Sequence, residues 1–280
     1  MSDVRVWVNG RLTGVDEPSI AALDHGVTVG DGAFETCKID GGQVFAATRH
    51  ARRLDRTLSG LGLPAADHAY IAEGVKAVLE TGEAIDFGRL RYSVTGGAGP
   101  LGSDRDDSPL TYIVTAGEQP RPPASATVEV VPWVRNERSA VAGLKTTSYA
   151  ENVVALAYAK KRGAIEAIFA NTRGELCEGT GSNIFVVRDG VVLTPPLDSG
   201  CLAGITREVA LEWCHEDGIE AREETLPLEV LQEADEVFIT SSTKDILAVH
   251  GVGDRALQPG PVTARVADLF ARRCAERMDP

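Results

Sequence analysis

Lysine is scarce in this 280-residue sequence, supplying only six of its 28 basic residues. Lys160 and Lys161 stand beside Arg162 and read as solvated charge on a helix. Lys76 lies mid-helix, Lys38 alternates in a strand, and Lys244 sits in a short polar link. Lys145 differs. Its context is AVAGLKTTSYAEN, with apolar and small residues before it and small hydroxyl residues after it. No carboxylate lies within five residues on either side. An ammonium held in such surroundings loses its charge easily, because burial disfavours the charged form. A lysine that condenses with a carbonyl needs that property. The alternative is a lysine at a strand end with its tip in water.

Glu178, in GELCEGTGSNIFVV, is a carboxylate delivered between apolar strands, and such a group wants a partner. The alternative is a turn glutamate in water. Two segments could hold an anion. GCLAGITREVALEW places the N–H groups of Ile205 and Thr206 at a helix start, which suits a phosphate as well as plain capping. Thr240-Ser241-Ser242-Thr243 puts four hydroxyls at the end of an apolar strand. Arg49, Arg53 and Arg56 share one helix face, and one of them could grip a phosphate bidentately. An activated lysine, an acid, two phosphate seats and an arginine form the set that pyridoxal phosphate requires.

These groups need elements to hold them. VRVWV alternates and ends at Asn9-Gly10, a hairpin signal. Strands are expected at 34–39, 89–95 and 110–115, and helices at 47–59 and 68–80. A proline-rich stretch, 119–126, separates an N-terminal domain, 1–118, from a larger one, 127–280. The second half reads as strands at 127–132, 165–170, 182–187, 191–194, 220–225, 236–241 and 246–252. Helices are expected at 150–162, 205–217 and 261–277. The fold class is α+β, two domains, mainly antiparallel.

Several functions find no support. The chain carries 41 acidic residues and a net charge of −13, unlike a nucleic-acid surface. It has no apolar run of membrane-spanning length and no signal-peptide pattern, which leads us to expect a cytoplasmic protein. Five cysteines without paired spacing imply buried thiols. No metal-binding histidine set, nucleophile elbow or P-loop occurs, so no metal is expected. Gly97-x-Gly99-x-x-Gly102 lacks the helix a dinucleotide site needs and reads as a loop.

The stretches DHGVTVGDGAFET, RHARRL, LKTTSYAENVVA, ELCEGTGSNIF, GCLAGITRE and EVFITSSTKDI occur in one order along nearly the whole chain. In that order the sequence resembles the class IV aminotransferases, the fold-type IV pyridoxal-phosphate enzymes. The resemblance implies two α+β domains, as in D-amino acid aminotransferase, with the cofactor between them, in a homodimer. It places the Schiff-base lysine at Lys145 and the acid facing the pyridine nitrogen at Glu178. The phosphate arginine falls at Arg53, in His50-x-x-Arg53-Leu54. Ile205 and Thr206 would donate backbone N–H groups to the phosphate, and Ser241 and Ser242 match a second phosphate loop. Leu202 would pack on the ring.

The substrate side departs from the pattern. D-amino acid transaminases carry a carboxylate-gripping arginine after the strand that reads YSVT here, where this chain has Gly96-Gly97. A tyrosine of theirs is Phe34. Arg105, Arg135 or Arg138 could replace the missing group, and Phe34, Gly96 and Arg105 are the expected substrate contacts. The branched-chain type is also imperfect, since Ala150 stands where it carries a tyrosine. The implied activity is transamination between a D-amino acid, or an R-primary amine, and a 2-oxo acid. The alternatives are aminodeoxychorismate lyase and branched-chain transaminase.

Overall fold

Residues 4–280 are described by a computed structural model. The first three residues, which open the expected N-terminal domain, lie outside the described residues.

The opening hairpin forms where the alternation predicts it. β1 (Arg5–Val8) pairs with β2 (Arg11–Thr13) across Asn9 and Gly10, both at positive φ. Two left-handed residues match the twist of paired strands, and Asn-Gly adopts that conformation readily. There follow α1 (His25–Thr28), β3 (Gly32–Asp40), β4 (Gln43–Val44), α2 (Ala47–Leu61), α3 (His68–Glu80), β5 (Phe87–Thr95) and β6 (Thr111–Glu118). The first sheet runs β2-β1-β6-β5-β3-β4, antiparallel throughout. β3 and β5 pair along their full length, from Gly32 opposite Thr95 to Asp40 opposite Phe87. Alternation along β3 sends Ala33, Cys37 and Ile39 into one core with Leu54 and Leu58 of α2 and Ile71 and Val78 of α3. Glu35 shares that face, and Phe34 points to the other.

The second half contains β7 (Ser125–Arg135), α4 (Ala150–Lys160), β8 (Glu166–Asn171), β9 (Leu176–Gly179), β10 (Asn183–Arg188), β11 (Val191–Thr194), α5 (Ile205–Glu216), β12 (Ala221–Glu223), α6 (Val230–Glu233), β13 (Glu236–Ser241), β14 (Asp245–Val252), β15 (Arg255–Ala256) and α7 (Pro261–Glu276). Its sheet runs β12-β11-β10-β13-β14-β7-β8-β9, with β15 on β14. Three of its pairings are parallel, β11 with β12, β14 with β7 and β7 with β8. Ile168, Ile184, Val186, Val237, Ile239 and Val249 line one core against α6. Ala155 and Ala159 of α4 pack with Val131, Ala167 and Phe169. Trp213 of α5 meets Phe270 of α7 at 5.0 Å. The β7–β8 register shifts between Val130 and Val134, around Pro132, which has no N–H for a ladder.

The chain divides into two compact units. The first comprises the residues up to Arg121, the segment Leu144–Tyr149 and Asp279. The second comprises Pro122–Gly143, Ala150–Met278 and Pro280. The change at Arg121 falls inside the stretch expected as a linker, although Ser125 and Ala126 already belong to β7. The expected domain 127–280 held Lys145, whereas the segment carrying Lys145 groups with the first unit. Gly97-x-Gly99-x-x-Gly102 is followed by irregular backbone and no helix.

Leu54 is wholly buried in the first unit's core. Leu54→Ala is expected to destabilise the protein by roughly 2–5 kcal/mol, through lost burial and a residual cavity. Denaturant unfolding checks this, with an unchanged slope and a lower midpoint as the expected result.

Candidate functional site

In the first unit, residues 144–149 lie along β3 like an extra strand. The Phe34 N–H donates to the Lys145 carbonyl at 3.1 Å, and the Thr147 N–H donates to the Gly32 carbonyl at 2.8 Å. Ala33 and Thr146 form an antiparallel bridge. The hydroxyls of Thr147 and Ser148 each donate to the Gly30 carbonyl at 2.8 Å. The Lys145 N–H donates to the Thr57 hydroxyl of α2 at 3.3 Å. Lys145 thus stands directly across from Phe34, on the same face. Its Nζ lies 4.3 Å from the centre of the Phe34 ring and 6.0 Å from that of Tyr149. Phe34 and Tyr149 meet edge to face at 5.2 Å.

On the opposite face of β3, Glu35 is buried and its carboxylate binds two residues of α2. Arg53 donates through Nε at 2.8 Å and Nη2 at 2.6 Å, and His50 donates through Nδ1 at 2.6 Å. Burial alone would raise the Glu35 pKa. The Arg53 guanidinium outweighs it, with His50 assisting, and brings the carboxyl down to about 2. Burial pushes the His50 pKa below its ordinary value despite the bond to Glu35. The sequence marks Arg53, but Glu35 escaped it. The available signal is a charged residue between Ala33 and Cys37 on an apolar face.

Arg105 is committed elsewhere. It clasps Asp31 through Nε at 2.7 Å and Nη2 at 2.5 Å, and its Nη1 donates to the Leu61 carbonyl at 2.8 Å. The Gly96 N–H donates to the Asp31 carbonyl at 3.0 Å. Arg91 was missed in the sequence. From β5 its guanidinium covers the Phe34 ring at 3.7 Å. Its one hydrogen bond among the described residues is Nε to the Ser93 hydroxyl, at 3.4 Å. Burial lowers its pKa below the ordinary arginine value. The signal was the RLRYSV alternation, which puts Arg91 and Ser93 on one face.

In the second unit, Glu178 ends on β9. Its Oε2 accepts the Leu202 N–H at 2.9 Å, and its Oε1 accepts Arg135 Nε at 3.2 Å. Arg135 also pairs with Glu151 and lies 4.3 Å above the Phe169 ring. Arg138 lies in a turn, where its N–H donates to the Asn136 side chain at 3.0 Å. The Leu202 carbonyl accepts Asn183 Nδ2 at 2.8 Å, and Asn183 pairs with Thr240 across β10 and β13. These bonds connect Glu178, Leu202 and the end of β13. Gly204 precedes α5 with no side-chain cap. A Cβ on Gly204 would lie 1.9 Å from Asn183 Oδ1, so only glycine fits this approach. Ile205 and Thr206 open α5, and both are buried. Ser241 and Ser242 are half-buried at the end of β13. The buried Thr240 hydroxyl has no hydrogen-bond partner.

This donor set fits pyridoxal phosphate. An uncapped helix start with adjacent serine hydroxyls suits a dianion. A carboxylate that accepts from two donors, as Glu178 does, suits the protonated nitrogen of a pyridine ring. Among the described residues, no cluster of three or more His, Cys, Asp or Glu could hold a metal, and no helix is long and apolar enough to cross a membrane. All five cysteines are buried.

Glu35 and His50 both have folded-state pKa values below their ordinary ones, so each stabilises the fold at neutral pH. The His50 contribution is complete above about pH 6.5 and fades below it, while that of Glu35 is complete above about pH 4.5 and is lost as the pH falls towards 2. The melting temperature should therefore fall as the pH drops from 7 to 3. Glu35→Gln should lower it at pH 7, by stranding Arg53, and flatten its decline between pH 5 and 3. Parallel curves for the two proteins would contradict this account.

Residues 32–252 match the family described as amino-transferase class IV. A putative branched-chain-amino-acid aminotransferase of Methanocaldococcus jannaschii is 31% identical over 278 residues, 95% of each chain. A D-alanine aminotransferase of Bacillus licheniformis is 30% identical over 276 residues, 94% of each chain. The solved branched-chain aminotransferase of Escherichia coli superposes with a TM-score of 0.88 at 25% identity, covering 97% of this chain and 94% of its own. With these matches spanning the fold and every element that carries the site, the chain belongs to the class IV aminotransferases, enzymes that depend on pyridoxal phosphate.

Proposed function

We propose that this aminotransferase moves an amino group between a D-amino acid and a 2-oxo acid and tolerates R-primary amines as donors. The observation that carries the reading is the Lys145 amine, set against Phe34 and Tyr149 on a segment pinned to β3. The D-specific part is supported by the Bacillus licheniformis relative. Tolerance of simple amines is supported by Gly96-Gly97, which stand where D-transaminases carry an arginine.

When bound, pyridoxal phosphate supplies an electron sink for the carbanion at the substrate Cα. Lys145 would carry the cofactor and then, as a free amine, take the Cα proton and return it at C4′. The Phe34 and Tyr149 rings would exclude water from that amine. Glu178, oriented by Arg135 and the Leu202 N–H, would hold the proton on the ring nitrogen. Arg53, the Ile205 and Thr206 N–H groups, and the Ser241 and Ser242 hydroxyls would hold the phosphate. Leu202 would pack on the ring. On the substrate side, Arg105 would brace Gly96 through Asp31. Arg91 lies over Phe34 and pairs with no carboxylate among the described residues, so we place the substrate carboxylate there.

A second reading, a branched-chain L-amino acid transaminase, is favoured by the Methanocaldococcus relative and the Escherichia coli structure. The two readings separate in the visible spectrum of the purified holoenzyme. Bleaching of the yellow band by D-alanine, with pyruvate formed, supports the first. Bleaching by L-valine alone supports the second. Lys145→Ala should lower turnover roughly a thousandfold, and full activity in that variant would remove the lysine from the chemistry. Arg91→Leu should raise KM for D-alanine about 10–100-fold, the scale of one charged hydrogen bond. It should leave KM for R-1-phenylethylamine nearly unchanged. An equal effect on both donors would place the carboxylate elsewhere.

A further inference from the structure

Glu166 opens β8, far in sequence from the hydroxyl loop after β13, yet it is almost fully buried and has four donors. Lys244 Nζ and the Ser182 hydroxyl donate to its Oε2, at 2.7 and 3.0 Å. The Thr180 hydroxyl and the Gly181 N–H donate to its Oε1, the latter at 3.3 Å. Three of these donors belong to the turn between Glu178 and Asn183. The fourth ends the loop that begins at Ser241, where the Lys244 N–H donates to the Ser241 carbonyl at 3.2 Å. One buried carboxylate therefore ties the turn after Glu178 to the Ser241–Lys244 loop. Asn152 adds a strut, with Nδ2 donating to the Thr180 carbonyl at 2.5 Å.

Energetics favour a bond kept for geometry. A buried ion pair adds little net stability against an apolar substitute, but losing one partner strands a charge in the interior. Burial works to raise the Glu166 pKa, and Lys244, with the Thr180 and Ser182 hydroxyls, overcomes it and keeps the carboxylate ionised. Without Lys244 the Glu166 charge would be answered only by neutral donors on the Glu178 side. Nothing charged would then draw the hydroxyl loop inward.

We propose that Lys244 is a positioning residue for the cofactor phosphate: through Glu166 it holds the Ser241-Ser242 loop in the conformation that receives that group. The proposal rests on the assignment of Ser241 and Ser242 to the phosphate. It predicts an effect confined to the phosphate end of the cofactor, because the ring-nitrogen partner Glu178 has its own supports in Arg135 and Leu202.

The test compares pyridoxal 5′-phosphate with pyridoxal, which lacks the phosphate, in spectroscopic titrations of the dialysed protein. Lys244→Met should raise the Kd for pyridoxal 5′-phosphate about tenfold, the scale of one charge-assisted hydrogen bond. The Kd for pyridoxal should change less than twofold. Lys244→Arg should restore phosphate-dependent affinity, since it renews the ion pair. The double variant Ser241→Ala, Ser242→Ala should show the same selective loss. Equal weakening of both ligands, or no weakening, in Lys244→Met overturns the proposal. If the serine variant weakens only the phosphorylated ligand while Lys244→Met changes neither, the phosphate assignment stands and the Lys244 role falls. If the serine variant binds both ligands normally, the phosphate assignment itself falls.

Discussion

The backbone hydrogen bond from the Phe34 N–H to the Lys145 carbonyl, with that from the Thr147 N–H to the Gly32 carbonyl, sets the position of the Lys145 amine. Residues 144–149 are flanked on both sides by chain belonging to the second unit, yet they are hydrogen-bonded to β3 of the first. Strand pairing also determines orientation. Residues directly opposite each other project to the same face, so Lys145 follows Phe34 and reaches its ring. A slip of one residue would send the amine to the opposite face, into the core with Glu35. Thr147 and Ser148 guard against that slip by anchoring their hydroxyls on Gly30.

Within each unit, several carboxylates are matched locally by a basic side chain. Glu35 faces Arg53, Asp31 faces Arg105, Glu178 faces Arg135, and Glu166 faces Lys244. Each pair ties a carboxylate to a basic side chain, and for Glu35 and Glu166 the basic partner overcomes the burial that would tend to protonate it. Arg91 departs from the pattern. It is held by an aromatic face and a serine, which position a guanidinium without cancelling its charge.

Much of the element order is legible in the sequence because the signals are local. The helix expected at 68–80 is α3, residue for residue, with Asp67 capping the Tyr70 N–H. The Asn9-Gly10 and Asp189-Gly190 turns both have left-handed backbone. The short elements α1, β4, α6 and β15 were not legible, since two to four residues carry too little periodicity. The parallel pairings of β7 with β8 and β14 escaped for another reason. Strand partners are chosen by how the sheet packs, and β7 lies more than a hundred residues from β14.

The amino-acid sequence by itself determined the family, the cofactor and the candidate residues, Lys145, Glu178 and Arg53 among them. Residue type and order carry that information: a lysine among small residues with no carboxylate within five positions, a glutamate before a glycine-rich turn, an arginine after His50. Only the tertiary structure decided the company these residues keep. Arg105 had the right charge for a substrate carboxylate, but folding brings Asp31 against it. Arg91 lies within the strand expected at 89–95, and folding sets β3 beside it and lays Phe34 beneath its guanidinium. Partners such as Glu35 with Arg53, or Glu166 with Lys244, are set by which faces pack together, and no spacing along one chain segment encodes that.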